Sequence, residues 1–279
     1  MQIRKIFLSL ILLLGLALIV TYQNVDAKNN QIVESSTSML GHIQDQNAKI
    51  YKSIGDNSSI ITAGTTYTNK VFYIKTKAEF NGELYYLLSR NAKNTDVVGW
   101  IKAKDVWAQD HVTIDKNQKI LYLKGTGWAY TEPWGSNQDA VYTNLAAFQF
   151  TEFKVNLTER VGNYIWYRGV LQNGKTVWIQ AGNLSSEKPK VKLSSTSKLG
   201  HIESQNAKIY KSINTSSITA GTTYTNKVFY IKKQVEVSGQ LYYLISTRAS
   251  SVDGTIGWVN SKDIWAQTHV TIDKDEKLF

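Results

Sequence analysis

Residues 97–116 read VVGWIKAKDVWAQDHVTIDK, and residues 255–274 read TIGWVNSKDIWAQTHVTIDK. The second stretch repeats the first at an interval of 158 residues. Further blocks agree: LGHIQDQNAKIYKSI from residue 40 matches LGHIESQNAKIYKSI from residue 199, and ITAGTTYTNKVFYIK occupies both 61–75 and 218–232. A repeat of this length indicates a modular architecture before any local pattern is considered.

The interval between the two copies contains a diverged third copy. TVWIQAGNL from residue 176 corresponds to VGWIKAKDV from residue 98, which aligns Trp178 with Trp100. The period is therefore roughly 75–80 residues, in the range of known repeat units. We predict a linker at 28–38 and three modules at 39–115, 116–190 and 191–272. The tail at 273–279 aligns with the chain that enters the second module, and we expect it to be the stub of a further module.

The local patterns favour short β-strands over helices. Runs such as KVFYIKTKAEF and ELYYLLS are rich in β-branched and aromatic residues. The dipeptide Asn81-Gly82 between them is a strong hairpin signal, and Gly162-Asn163 and Ser238-Gly239 occupy the same place in the other modules. Several short strands in fewer than about 80 residues predict a small all-β barrel for each module.

The repeated tryptophans allow the strand that carries them to be divided into two faces. Trp100, Trp178 and Trp258 each precede an aliphatic residue, and neighbours on a strand point to opposite faces. With the aliphatic residue inside the barrel, each tryptophan lies outside it and either packs on a neighbouring module or linker or stacks on a ligand. We expect Trp107 and Trp265 to close the base of their barrels, and Trp128 and Trp134, which occur only in the second module, to mark its interface with a neighbour.

The first 27 residues have the composition of a signal peptide. Arg4 and Lys5 precede an apolar run at residues 6–20, and Val25 and Ala27 are the small residues expected before a cleavage site. The run is shorter than the roughly 18–20 residues that span a bilayer. We expect export with cleavage after Ala27, a retained membrane anchor being the alternative. The chain has no cysteine, which excludes a cysteine-linked lipid anchor and disulfides.

The positive charge of the chain is unevenly distributed. The formal net charge is +10. Residues 40–115 carry nine basic and eight acidic residues, residues 116–190 nine and five, and residues 191–272 nine and four. The excess therefore lies in the second and third modules, where a cationic surface would attract a polyanion without sequence specificity.

These features resemble the GW modules of Gram-positive autolysin amidases and of a GW-containing invasion protein. Gly99-Trp100 and Gly257-Trp258 match the dipeptide that defines such modules, whereas Val177 precedes Trp178 in the second module. The resemblance implies an all-β chain of three tandem SH3-like GW barrels behind the signal peptide. It also implies non-covalent attachment to the cell wall through lipoteichoic acid, with glycosaminoglycan binding in some members. The departure at Val177 concerns binding by the second module rather than its fold.

Catalysis finds little support in the residues. The four histidines follow the repeat, His42 matching His201 and His111 matching His269, which is typical of turn or packing positions rather than of one active site. No metalloprotease, nucleophile-elbow or phosphate-loop motif occurs. We therefore expect no enzyme activity, no cofactor and no metal.

The sequence predicts a secreted, wall-associated binding protein, monomeric and peripheral to the cell surface. Its expected partner is lipoteichoic acid or another anionic wall polymer. The alternatives are an adhesin for host glycosaminoglycans or proteins, and the targeting part of a truncated wall hydrolase; export and the absence of a recognition motif argue against nucleic acid. The candidate polyanion-binding residues are Lys70, Lys102, Lys104, Lys154, Arg168, Lys175, Lys208, Lys211, Lys227, Lys232, Lys233, Arg248 and Lys262.

Overall fold

The computed structural model describes residues 31–250 and 252–270. The predicted signal peptide and the stub at 273–279 lie outside the described residues. In the part of the chain that is described, no helix is long and apolar enough to cross a membrane.

Module 1 is a curled antiparallel sheet with one short helix. Its strands are β1 (Val33–Ile43), β2 (Lys49–Tyr51), β3 (Ile60–Thr62), β4 (Val71–Phe80), β5 (Glu83–Ser89), β6 (Val97–Lys102) and β7 (Val106–Asp115), with α1 (Gly64–Tyr67) after β3. The strand order is β7-β1-β4-β5-β6-β2-β3. A single 3-10 turn, Ala103–Asp105, joins β6 to β7.

Module 3 repeats this arrangement strand for strand. It consists of β15 (Lys192–Ile202), β16 (Lys208–Tyr210), β17 (Ser217–Thr219), α2 (Gly221–Tyr224), β18 (Val228–Val237), β19 (Gln240–Ser246), β20 (Thr255–Asn260) and β21 (Ile264–Thr268). The order β17-β16-β20-β19-β18-β15-β21 is the order of module 1 read from the other end. The 3-10 turn Ser261–Asp263 precedes β21.

Module 2 is the diverged unit, and its outer strands are shorter. It contains β8 (Lys119–Leu123), β9 (Ala129–Tyr130), β10 (Ala140–Tyr142), β11 (Glu152–Val161), β12 (Tyr164–Val170), β13 (Thr176–Gln180) and β14 (Leu184–Ser185). Three 3-10 turns, Asn137–Asp139, Ala146–Phe148 and Ala181–Asn183, complete it. The prediction of an all-β chain with three modules is confirmed.

The predicted hairpins form with the expected backbone. Phe80 pairs with Glu83 across Asn81 and Gly82, whose φ angles are +54° and +76°. Both values lie in the left-handed region that two-residue hairpin turns of this type require. Ser238 and Gly239 adopt the same geometry between β18 and β19, with φ angles of +52° and +75°.

Strand β7 belongs to two modules. Its first half, Val106 to Asp110, pairs with β1 of module 1, and its second half pairs with β11 of module 2, His111 opposite Val161. The hydrogen-bonded sheet consequently runs from module 1 into module 2. Module 3 has a separate sheet and meets module 2 through side chains.

Candidate functional site

The tryptophans of the Gly-Trp strands lie at the joints of the chain. Trp258 is fully buried, and its indole Nε1 donates a hydrogen bond to the carbonyl oxygen of Ala146 in module 2, at 3.1 Å. Trp178 is buried in a cluster that includes Leu40 and Tyr73 of module 1. Each of these two tryptophans therefore packs on the preceding module. Trp100, in module 1, packs within its own module against Ile54, Ala78 and Tyr85.

The glycine before the tryptophan permits a close approach of two strands. A Cβ atom at Gly257 would lie 2.5 Å from the carbonyl oxygen of Tyr210, and one at Gly99 would lie 2.7 Å from that of Tyr51. Gly99 also has a φ of +147°, which side-chain-bearing residues rarely adopt. Module 2 replaces the neighbouring strand with the two-residue β9, and Val177 fits there with 1 % of its surface exposed.

Modules 2 and 3 share a hydrophobic core. Phe148 and Phe153 of module 2 pack in one cluster with Trp258, Ile213 and Leu244 of module 3. We call this contact junction 2–3. The cluster crosses the module boundary, while a second cluster of module 3 lies within that module.

Amide hydrogen bonds complete junction 2–3. The Gln149 side chain is 2 % exposed; its Nε2 donates to Ser212 Oγ at 2.8 Å, and its Oε1 accepts from the Ile213 amide at 3.0 Å. Asn144 Nδ2 donates to the carbonyl oxygens of Thr255 and Ile256. These contacts satisfy buried polar groups that would otherwise oppose docking.

Modules 1 and 2 meet through strand β7, through the apolar cluster around Trp178 and through ionisable side chains, a contact we call junction 1–2. His111 Nε2 lies 2.7 Å from Glu159 Oε2, and the Tyr73 hydroxyl donates to Glu132 Oε2 at 2.5 Å. Asp139 Oδ2 accepts from the amide of Val71 at 3.0 Å. Every one of these bonds joins a residue of module 1 to a carboxylate of module 2.

An aromatic contact lies beside these carboxylates. Trp134, at a φ of +58°, packs edge-on against His42, with 4.4 Å between ring centroids, and against Trp107 at 4.7 Å. His42 Nε2 donates to the carbonyl oxygen of Trp134 at 3.0 Å. The expected interface role is thus confirmed for Trp134, whereas Trp128 lies against Tyr130 of its own module. The expectation for Trp107 and Trp265 is wrong: they are 50 % and 54 % exposed, because each follows a buried strand residue and so lies on the outer face of its strand.

Burial at junction 1–2 shifts several pKa values. Loss of solvent raises the pKa of the Glu132 and Asp139 carboxyls and of the Tyr73 hydroxyl, because the charged form is disfavoured. The same burial lowers the pKa of His42, because loss of solvent disfavours the charged ring. Junction 1–2 therefore contains groups whose charge depends on pH.

The placement of these carboxylates makes the outer surface of module 2 strongly basic. Of its five acidic residues, Glu132, Asp139 and Glu159 lie in junction 1–2, which leaves Glu152 and Glu187 exposed. None of its nine basic residues is buried. The solvent-facing surface of the module is thus more positive than its sequence charge suggests.

The predicted polyanion-binding residues are spread over all three modules. Lys104, Lys154, Lys208, Lys211, Lys227, Arg248 and Lys262 are exposed, Lys70 is half-buried, and exposed Lys175 lies 5.6 Å from the centre of the Tyr142 ring. The structure does not gather them into one patch.

Four other predicted residues have protein partners. Lys102 pairs with Glu83 at 2.6 Å, and Lys232 donates to Ser197 Oγ at 3.2 Å. Arg168 donates to Asn156 Oδ1 at 2.9 Å. Lys233 Nζ donates to the carbonyl oxygen of Ala147 at 2.7 Å in junction 2–3, where burial lowers its pKa. Lys233 therefore serves the junction, contrary to its expected place on a free basic face.

The structure also reveals a basic groove that the sequence analysis missed. Lys124, Lys188 and Lys190 line a cavity of about 590 Å³ at junction 2–3. An adjoining cavity of about 570 Å³ is lined by Lys154 and again by Lys188. The alternation of lysines in the segment EKPKVK, residues 187–192, was the one available signal.

The described residues offer no arrangement for metal chemistry. Across residues 31–250 and 252–270, no three His, Asp or Glu side chains cluster so that they could hold a metal ion. Where carboxylates and histidines do meet, at junction 1–2, they pair with one another and with backbone groups.

Comparison with known proteins identifies relatives of all three modules. The chain is 22% identical over 259 residues to the bifunctional autolysin of Staphylococcus aureus strain MRSA252, and equally to that of strain Mu50. The match covers 86% of this chain and 20% of the relative, so the chain spans about a fifth of the length of these curated relatives. A crystal structure assigned as an autolysin from Listeria monocytogenes aligns with 17% identity and a TM-score of 0.34, over 83% of this chain and 97% of that one.

The family comparison covers most of the chain. The GW (Gly-Tryp) dipeptide domain matches three times, at residues 30–106, 110–185 and 190–264. The second match includes the module in which Val177 replaces the glycine, and the three matches follow the three units of the fold. The chain therefore belongs to the GW dipeptide domain family.

Proposed function

We propose that the protein is a non-catalytic cell-wall-binding protein that resides at the cell surface and attaches through its basic GW modules to an anionic wall polymer, lipoteichoic acid. The observation that carries the proposal is the charge of module 2: three of its acids are used at junction 1–2, while all nine of its basic residues keep contact with solvent. A fixed cationic surface of this kind attracts the negatively charged groups of a polyphosphate.

The similarity to autolysins supports the location. Those relatives are autolysins by name, and the matched part is a fifth of their length. A piece of that size which consists of GW units fits an attachment region, while wall hydrolysis belongs to the proteins named. We therefore infer a role in binding rather than in bond cleavage.

The test is co-sedimentation of the protein with cell walls, with and without their lipoteichoic acid, over a salt series. We expect binding to fall when the polymer is extracted. We also expect it to fall between about 0.1 M and 1 M salt, because the Debye length shrinks from about 10 Å to about 3 Å. Binding that persists at molar salt, or that is unaffected by extraction, would contradict the proposal.

Two further measurements separate this function from its alternatives. Heparan sulfate as a competitor distinguishes an adhesin, which should prefer the sulfated polymer over lipoteichoic acid. A zymogram with peptidoglycan should show no clearing by the protein; a cleared band absent from a mock preparation would identify a hydrolase.

A further inference from the structure

We propose that the groove along the linker between modules 2 and 3 is the binding site of the polymer, and that it binds a segment of a polyol-phosphate chain. This inference rests on the proposed function and deepens it. The groove consists of the two cavities of about 570 Å³ and 590 Å³, which share Tyr122, Phe150, Lys188 and Pro189. We call it the linker groove.

The charge of the linker groove suits phosphate. Its walls carry Lys124, Lys154, Lys188 and Lys190 against two glutamates, Glu152 and Glu187. A lysine ammonium binds phosphate as a point charge and needs no fixed orientation, which suits a flexible phosphodiester. The cleft at junction 1–2 has no such charge: its cavity of about 370 Å³ is lined by His42, Trp107, Trp134 and uncharged neighbours.

Hydrogen bonds and a proline ring restrain the backbone that carries these lysines. The amide of Lys124 donates to the carbonyl oxygen of Asn183 at 3.0 Å, and its own carbonyl oxygen accepts from Ser212 Oγ at 2.5 Å. Lys188 and Lys190 flank Pro189, one of two prolines in the chain, whose ring fixes its φ angle. The Lys124 ammonium itself donates to the carbonyl oxygen of Gly182 at 3.0 Å, so this charge is ordered before binding, which reduces the entropy lost when a ligand binds.

The floor of the groove is held in an unusual conformation. Phe150 has a φ of +68°, and its amide donates to the carbonyl oxygen of Leu123 at 2.8 Å. Bulky residues rarely occupy this region, and such strain is concentrated at functional sites. The strained backbone presents Phe150 to both cavities, beside Tyr122.

The lining identifies the class of ligand as a polymer with alternating phosphate and polyol. Lysines supply the partners for phosphate, and Thr126, Ser185 and Thr215 supply hydroxyls for polyol oxygens. Tyr122 and Phe150 form an apolar floor for the carbon chain. Two open cavities side by side suit an extended chain better than a compact molecule.

The decisive experiment compares two variants of the full chain that lose the same charge. The groove variant is Lys124→Gln/Lys188→Gln/Lys190→Gln, and the control is Lys49→Gln/Lys52→Gln/Lys93→Gln, three exposed lysines of module 1. Soluble lipoteichoic acid is titrated into each at about 0.1 M salt. We expect the groove variant to bind at least about tenfold more weakly, since each substitution removes one positive charge that faces the polyanion. Its log–log salt slope should flatten by about two, on the relation established for single-stranded polyanions.

The outcomes separate the two proposals. Equal losses in the two variants would overturn the linker groove while leaving wall binding intact. Failure of the unaltered chain to bind the polymer would reject the proposed function, and the groove with it. The unfolding midpoints of the two variants check that both are folded.

A measurement on the unaltered chain covers the case in which the groove variant does not fold. Lysines are acetylated with and without lipoteichoic acid and read by mass spectrometry. We expect the polymer to protect Lys188 and Lys190 while Lys49, Lys52 and Lys93 remain reactive. Uniform protection of all five lysines, or protection of the module 1 lysines alone, would contradict the proposal.

Discussion

Junction 1–2 and junction 2–3 hold the same module between two neighbours of nearly identical sequence, yet they are built from different chemistry. Junction 1–2 combines an apolar cluster with three carboxylates, which bind a histidine, a tyrosine and a backbone amide, whereas junction 2–3 is an apolar core closed by Trp258 and by the Gln149 amide. Module 1 meets module 2 through β1, β4 and β7, and module 3 meets it through β20 and the loop around Ile213.

Identical residues consequently have different surroundings in modules 1 and 3. Val71 is 6 % exposed at junction 1–2, while its counterpart Val228 is 53 % exposed. Trp258 is fully buried at junction 2–3, while its counterpart Trp100 keeps 9 % of its surface. The role of a residue in this chain depends on the position of its module in the array as much as on the module's own fold.

Among the substitutions that test the difference between the two junctions, removal of Trp258 should have the largest effect on stability. Trp258→Ala should destabilise the protein by about 3–5 kcal/mol, the usual cost of deleting a fully buried large aromatic residue. Trp265→Ala, in the same module but 54 % exposed, is the matched control and should cost far less. Urea unfolding measures both, and limited proteolysis of residues 186–191 reports whether junction 2–3 has opened. Similar losses in the two variants would show that Trp258 does not hold the junction.

Replacement of Gly257 tests whether module 3 needs the close strand contact that module 2 does without. Gly257→Val, which introduces the residue that module 2 has at position 177, places a Cβ only 2.5 Å from the Tyr210 carbonyl oxygen and should destabilise by about 1–3 kcal/mol or more. Gly182→Val is the control, because a Cβ at Gly182 meets nothing within 4 Å. Thermal unfolding compares the two, and equal midpoints would contradict the steric account.

Substitution of Gln149 removes the polar part of junction 2–3 and keeps its apolar part. Gln149→Leu leaves the Ile213 amide and the Ser212 hydroxyl without their side-chain partner, at a cost of about 1–3 kcal/mol. Gln138→Leu, at an exposed contact with the Thr65 carbonyl oxygen, should change stability by less than about 1 kcal/mol. A larger loss of stability for Gln138→Leu than for Gln149→Leu in urea unfolding would contradict the prediction that the buried contact matters more.

A change of pH should affect the stability of junction 1–2 more than that of junction 2–3. We expect this effect to be smaller than the effects of the three substitutions above. Because burial lowers the pKa of His42, the unfolded chain takes up the proton first as the pH falls through the ordinary value of 6.5, and stability is lost below it. Glu132 and Asp139, whose pKa values are raised, act in the opposite sense: their destabilising charge is relieved as the pH falls towards their folded pKa.

The contribution of the His42 ring is therefore measured as a difference between proteins. The midpoint shift between about pH 7.5 and 5.5 should be less negative in His42→Gln than in the unaltered chain. His201→Gln, at the equivalent and less buried position of module 3, should follow the unaltered chain. Identical midpoint shifts in all three proteins would show that His42 does not contribute to the pH dependence of stability.

Much of the fold could be predicted from the sequence, because its signals are local. The Asn81-Gly82 turn and the alternation around Trp100 each lie within a few residues, so the hairpin and the two faces of the strand could be read directly. Because the sequence repeats, the same predictions apply to the corresponding residues of the other modules.

The junctions could not be predicted in the same way, because their partners are distant in the chain. Lys233 meets Ala147 across 86 residues, and nothing local distinguishes it from an exposed strand lysine. Asp139 meets the Val71 amide across 68 residues and counts in the sequence as one more surface acid. The linker groove is likewise formed by segments that come together only when modules 2 and 3 dock.

The shared core at junction 2–3 bears on how such a chain can lengthen in evolution. A duplication that copied module 3 alone would set its exposed Val228 face against a second Trp258 face, without the residues of module 2 that fit either one. Copying two adjacent modules together would reproduce both junctions intact. The 158-residue interval between the opening stretches is the length of such a pair, so the unit that recombination can copy without penalty is the pair of modules.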